Sequence, residues 1–323
     1  MLAIETIDLT KDYRFGFWRK RSKRALDSLN LQIEAGQVFG LLGPNGAGKT
    51  TTLTLLLRLI FPTRGTARIL GTSFEDRAVR ARLGYLPENP YLYDHLTPEE
   101  LLNYVGELFD LPAGLRRSRV GELIEKVGLA ESRQVPLRKF SKGMVQRAGI
   151  AQALMNDPDV VFLDEPMSSL DPLGRREVRD LILGLKARGK TVFFSTHILP
   201  DAETLCDQVA ILSHGRLQGC GDLHKILRLE VSSTEVLLED PAPAVMAELQ
   251  PHATSIVRTG DWVRLEIPEE REVPKVLEIA LRHKVRVVSL SPVKMSLEDF
   301  FLAKVSASRA ANEAVVPPSS GSG

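Results

Sequence analysis

Val38-Phe39-Gly40-Leu41-Leu42-Gly43-Pro44-Asn45-Gly46-Ala47-Gly48-Lys49-Thr50 is the stretch on which the reading of this chain rests. An apolar run over 38–42 stops at glycine, passes through G-x-x-x-x-G-K-T, and opens an apolar helix pattern from Lys49 to about Leu59. Strand, glycine turn and helix in that order are the setting a phosphate loop requires. Glycines let successive N–H groups curl inward toward anionic oxygens, and the helix N-terminus adds partial positive charge. Gly43, Pro44, Asn45, Gly46, Ala47, Gly48, Lys49, Thr50 and Thr51 are therefore the expected triphosphate-binding residues. Lys49 is expected to reach the outer phosphates and the Thr50 hydroxyl to ligate Mg²⁺.

A second apolar run, Val160-Val161-Phe162-Leu163, ends in Asp164-Glu165. A buried strand that ends in acids delivers carboxylates to the carboxyl edge of a parallel sheet, where α/β proteins gather their ligands. Asp164 is expected to hold Mg²⁺, directly or through water. Glu165, one residue on, can face the terminal phosphate as general base for an attacking water.

Composition is that of a globular protein: 43% hydrophobic and 26% charged residues, with 42 basic against 41 acidic side chains. A net charge of +1 supplies no global field for nucleic acid or membrane. Two cysteines, Cys206 and Cys220, argue against a disulfide scaffold or a four-cysteine zinc site and fit a reducing compartment. No stretch approaches the roughly 18 consecutive apolar residues of a membrane span, and the acidic N-terminus lacks the order of a signal peptide. A cytoplasmic chain is expected, meeting the inner face of the cell membrane only through a partner.

Helix-like and strand-like segments alternate from residue 140 onward, which argues for a parallel α/β core. Residues 95–130 look helical, with Thr97 as cap, Pro98 at the first position and Glu100 completing a capping box. After about 225 the pattern becomes strand, helix, two strands, helix, strand, a small ferredoxin-like unit. The expected domains are 1–225, with a helical subdomain near 90–155, then 226–305, then a disordered tail over 306–323.

From Met1 to about Leu229 the chain closely resembles the nucleotide-binding domains of ABC ATPases. Phe140-Ser141-Lys142-Gly143-Met144, followed by Gln146-Arg147, resembles the family's LSGGQ signature. Ser169-Leu170-Asp171 resembles the D-loop, Thr196-His197 the switch histidine, and Tyr13 stands where an aromatic usually stacks on adenine. The resemblance implies a P-loop ABC-type α/β fold with a parallel core sheet, an antiparallel β subdomain and a helical subdomain. It also implies ATP hydrolysis with Mg²⁺ in a head-to-tail dimer of two like copies, or of this chain with a second one. Each ATP then lies between the phosphate loop of one copy and Ser141, Lys142, Gly143 and Met144 of the other, and His197 bridges the terminal phosphate and the facing Asp171.

Two departures from the family pattern stand out. Glu88, in Gly84-Tyr85-Leu86-Pro87-Glu88, occupies the position of the usual Gln, and a carboxylate accepts where an amide also donates. Glu88 could still act beside the catalytic group and reach Mg²⁺ through water. Lys142 and Met144 in the signature resemble a subgroup of exporter ATPases for drugs, sodium, and gliding or copper systems. Ser296-Leu297-Glu298-Asp299-Phe300-Phe301-Leu302 resembles the ending of that subgroup's small accessory domain. The implied function is an ATPase that drives export by a separate integral membrane permease, with no nucleic acid partner. The alternative is an ABC ATPase acting on ribosomes or DNA. The 90 residues between Thr50 and Ser141 leave no room for the coiled coil of DNA-repair members. The basic aromatic stretch Arg14–Arg24 reads as a solvated hairpin loop, with anionic lipid and single-stranded nucleic acid as the other surfaces such a composition suits.

Overall fold

Strand β3 (Val38–Leu42) is buried at every residue, and this continuous apolar run fits a strand covered on both faces. A computed structural model describes residues 1–15, 21–168, 170–223, 225, 231–294 and 297. The chain forms two compact units, Met1–Leu223 and a second within His224–Ala303. The middle of the basic aromatic stretch, Ser169, most of the 296–302 motif and the 306–323 tail lie outside the described residues.

In the first unit, β3 is flanked by β8 (Thr191–Thr196) and β9 (Gln208–Ser213). The six-stranded sheet continues through β7 (Val160–Asp164) to β6 (Leu83–Leu86) on one side and β10 (Arg216–Asp222) on the other. All neighbours are parallel except β9 and β10. Phe39, Phe162 and Phe193 stack across β3, β7 and β8 and are fully buried. Register places Leu42 beside Thr196 and Asp164 beside Ser195. The carboxyl ends of three adjacent parallel strands thus carry the phosphate loop, Thr196-His197 and Asp164-Glu165. A second, antiparallel sheet of four strands pairs β1 (Leu2–Phe15) with β2 (Arg21–Glu34) and β4 (Arg64–Ile69), with β5 (Thr72–Ser73) at its edge.

The helices differ from the sequence reading mainly at their ends. Helix α1 (Lys49–Leu56) stops short of Leu59 because Arg58 turns left-handed at φ 60°. A four-residue α2 (Arg77–Arg80) precedes β6. The 95–130 segment is two helices, α3 (Pro98–Leu108) and α4 (Ala113–Lys126), divided where Asp110 takes φ 53° and Pro112 caps α4. Helix α5 (Lys142–Ala153) begins at Lys142 because Ser141 caps it. Helix α6 (Pro172–Ala187) likewise begins right after its cap, because the Asp171 carboxylate accepts the Gly174 N–H at 2.8 Å. Helix α7 (Leu199–Leu205) closes the set.

The second unit runs β11 (Val231–Glu239), α8 (Pro243–Leu249), β12 (Ser255–Thr259), β13 (Trp262–Ile267), α9 (Val273–Arg282) and β14 (Arg286–Lys294). Its antiparallel order β12-β13-β11-β14 is ferredoxin-like. Alternation puts Val236, Leu238, Val263, Leu265 and Ile267 on one sheet face, in a core with Val245, Leu249, Val276 and Ala280 from the helices. Cys206 and Cys220 are both free thiols, and burial pushes Cys206 well above the usual thiol range. Among the described residues no helix is long and apolar enough to cross a membrane.

Thr97 makes the reciprocal capping box that the sequence announces: its hydroxyl accepts the Glu100 N–H at 3.2 Å, and the Glu100 carboxylate accepts the Thr97 N–H at 2.8 Å. The neighbouring Glu99 is clamped by Arg133 at 2.8 and 2.6 Å, and these hydrogen bonds hold its carboxyl below the usual carboxylate range. Replacing Thr97→Ala leaves the N-terminal donors of α3 to water and is expected to lower stability by about 1 kcal/mol in urea denaturation. No change would mean that packing alone fixes the start of α3.

Candidate nucleotide and catalytic site

Backbone conformation makes the phosphate loop before any side chain enters. Gly46 and Gly48 take φ of 79° and 111°, the region open to glycine. Gly48 caps α1 with no side-chain hydrogen bond, so the first N–H groups of that helix are left facing the loop's mouth. Gly48 also passes tightly beneath β2: a Cβ there would lie 2.5 Å from the Ala25 carbonyl oxygen. The mouth opens into a cleft of about 340 Å³ lined by Tyr13, Lys23, Ala25, Asn45, Gly46, Gly48, Lys49, Thr50, Thr51, Glu88 and Glu165.

Lys49 is buried at 6% exposure and directs its ammonium at the Gly43 carbonyl, 2.8 Å away. The same nitrogen lies 3.1 Å from Glu165 Oε1, an ion pair whose two side chains are both buried. That oxygen has the charge of Lys49 beside it but accepts no aligned hydrogen bond. The other oxygen, Oε2, lies 2.8 Å from His197 Nδ1. Glu165 takes φ 48°, a left-handed conformation that costs a non-glycine residue about 1–3 kcal/mol. It is held there at both ends: its N–H donates to the Ser195 carbonyl and hydroxyl, and its carbonyl accepts from Ser168.

Asp164 is 1% exposed; its Oδ1 accepts the Ser195 hydroxyl, while its Oδ2 has no partner. An orphaned buried carboxylate oxygen behind a threonine-bearing phosphate loop fits a hard divalent cation. Burial and the Asp164 carboxylate push the phenol of Tyr85 up to about 12, so this neighbour stays neutral.

The signature-like residues are elsewhere. Ser141, Lys142, Gly143 and Met144 line a separate cleft of about 420 Å³ with Arg147, Leu170, Asp171 and Gly174. The Ser141 hydroxyl accepts the Met144 N–H at 3.3 Å and starts α5. The two clefts share no lining residue. The structure therefore brings Glu88, Glu165 and Tyr13 to the phosphate loop, with His197 bonded to Glu165. Ser141–Met144 and Asp171 stand apart from them. Sequence reasoning missed Ser195, Lys23 and Ala25. Ser195 sits one strand over from Asp164, and Lys23 pairs with Tyr13 across the β1–β2 hairpin, so only strand pairing could have revealed them.

With this geometry established, comparison with known proteins decides the family. Residues 26–168 match the family model described as ABC transporter. The ABC transporter ATP-binding protein sll0415 of Synechocystis is 42% identical over 93% of this chain and 84% of its own length. The chain belongs to the ABC transporter ATP-binding family. Nod factor export ATP-binding protein I of Ralstonia nicotianae is 35% identical over 88% of this chain and 90% of its own. Among solved structures, the ATP-binding cassette MJ0796, as a post-hydrolysis dimer bound to ADP and Pi, superposes with a TM-score of 0.63. It is 26% identical, covering 68% of this chain and 98% of that one. This ABC protein is thus an ATPase, the nucleotide-binding subunit of a transporter.

The loop also yields a steric forecast. Gly46 and Gly48 both sit at positive φ, but a Cβ at Gly46 meets open space and one at Gly48 meets the Ala25 carbonyl. Both alanine substitutions add strain of about 1–3 kcal/mol, and Gly48→Ala must also move β2 or the loop. Gly48→Ala is expected to weaken ATP-analogue binding well beyond Gly46→Ala, as read by titration calorimetry. Equal losses would show that the contact under β2 is readily relieved.

Proposed function

We propose that this chain powers export by a separate membrane-spanning subunit, closing on a second ATPase copy when ATP binds and reopening after hydrolysis. The observation that carries the reading is the separation of the two clefts. The phosphate loop and catalytic carboxylates line one, the signature and Asp171 line the other, and a head-to-tail pair of chains would join each to its complement. The likeness to a Nod factor export protein favours export. Tyr91 is 97% exposed and Tyr93 packs edge-to-face on Tyr104, leaving aromatic surface that a protein partner could cover.

In this reading the loop N–H groups and Lys49 bind the phosphates of ATP, and Tyr13 stacks on the adenine. Thr50 and Asp164 would hold Mg²⁺, with Glu88 nearby; the ion would neutralise phosphate charge. The arriving terminal phosphate competes for Lys49 and releases Glu165 from its ion pair. Glu165 then accepts a proton from the water that attacks phosphorus, while His197 holds the carboxylate in place. Ser141 and the Gly143 N–H contact the terminal phosphate on the opposite copy, so its loss removes the contact that joins the two chains. The chain would sit on the inner face of the cell membrane through its permease, as one of two like copies.

Two measurements test this. Glu165→Gln keeps the shape but not the basicity, and should cut turnover about 10²–10⁴-fold while ATP-bound dimers accumulate on size exclusion. Native turnover would remove Glu165 from the base role. Gentle detergent extraction of the tagged chain from its host should recover a polytopic membrane protein; ribosomes or DNA instead would leave the ATPase chemistry standing and overturn the transport role.

A further inference from the structure

One face of α5 lies along the segment that joins the catalytic carboxylate to α6. Positions 143, 146 and 147 fall on that face by helical spacing. Gly143 faces Leu170 so closely that a Cβ on it would stand 3.2 Å from Leu170 Cδ2. Gln146 is buried at 3% exposure and donates its side-chain amide to the Pro166 carbonyl at 3.3 Å. Pro166 directly follows Glu165, whose left-handed φ leaves the carboxylate's direction dependent on how its turn is held. Arg147 donates to the Val127 and Gly128 carbonyls at the end of α4 and pairs with Glu177 of α6 at 2.9 Å.

We propose that Gln146, through its hydrogen bond to the Pro166 carbonyl, is a positioning residue that ties the signature helix to the turn bearing Glu165, with Arg147–Glu177 as a second tie to α6. The inference rests on the head-to-tail reading, in which Ser141 and Gly143 meet the ATP held by the other copy while Glu165 acts on its own. A buried amide bonded to a buried carbonyl resists loss, because either group left alone keeps its full desolvation penalty. Seating of the signature on one nucleotide is therefore passed directly to the general base at the other, and the two sites fire in concert.

The test uses the full chain with Gln146→Met, which keeps length and removes the donor, and Glu177→Gln, a surface change that neutralises the second tie. Melting temperature, affinity for a non-hydrolysable ATP analogue, KM, kcat and the Hill coefficient of hydrolysis are measured for each. Gln146→Met is expected to lower kcat about tenfold, with analogue affinity and KM unchanged. The Hill coefficient should fall from between about 1 and 2 toward about 1, with Glu177→Gln showing the same trend more weakly. Losses confined to melting temperature, or affinity and rate falling together, would make Gln146 a packing residue and overturn the proposal. So would a wild-type Hill coefficient of 1, or native kcat and Hill coefficient in both variants. Glu165→Gln protein is run in parallel: if it stays monomeric with ATP, the dimer reading itself fails and takes the proposal with it. If it dimerises while Gln146→Met behaves as wild type, only the proposal fails.

Discussion

The buried pair of Lys49 and Glu165 organises the first unit. Two charges, 6% and 5% exposed, have been taken out of water, and such a pair is stable only where further hydrogen bonds satisfy what the partner does not. The structure meets that demand asymmetrically. Lys49 spends its donors on the Gly43 and Pro44 carbonyls, Glu165 Oε2 has His197, and Glu165 Oε1 has charge but no aligned donor. A site balanced in this way is sensitive to an added anion. In the proposed mechanism, phosphate oxygens compete with Glu165 for Lys49 and are met by the N–H groups of the loop bearing Gly46 and Gly48. The arrangement thus holds the Glu165 carboxylate between Lys49 and His197.

That pair is possible only because of the strand order. Neighbouring strands lie roughly 5 Å apart, so the ends of β3, β8 and β7 span about 10 Å. Lys49, after the loop that follows the first, and Glu165, just past the end of the third, can meet beside Ser195 of the middle strand and His197 just beyond it. Ser195 shows how closely the middle strand serves both neighbours: its hydroxyl bonds Asp164, and its hydroxyl and carbonyl receive the Glu165 N–H.

The second cleft has another logic. It is built from two helix starts, Ser141 before α5 and Asp171 before α6, rather than from strand ends. Helix N-termini are anion-seeking, yet each already has its own side-chain cap, so this surface is preformed rather than waiting to fold. The ties from α5 to Pro166 and Glu177 make that preformed surface continuous with the turn that bears Glu165. The C-terminal unit shows no comparable convergence among its described residues; its regular alternation serves a core.

Much of this was legible in the sequence, for identifiable reasons. The phosphate loop, the Thr97 capping box, the acid-terminated strand and the period-two strands of the C-terminal unit are set by backbone preferences and by bonds between residues a few positions apart. Such features are encoded where they stand, and the family resemblance added the roles. Helix ends were less legible where a cap lay upstream of the apolar pattern, as with Asp171 and Ser141, because periodicity starts only after the cap has acted. Tertiary structure alone decided that Lys49 is paired with Glu165, that Ser195 holds the Asp164 carboxylate and the Glu165 backbone, that Lys23 lines the cleft at the phosphate loop, and that Gln146 reaches the Pro166 carbonyl. Those contacts join residues distant in the chain, and their geometry follows from strand order and helix docking, which no local pattern specifies.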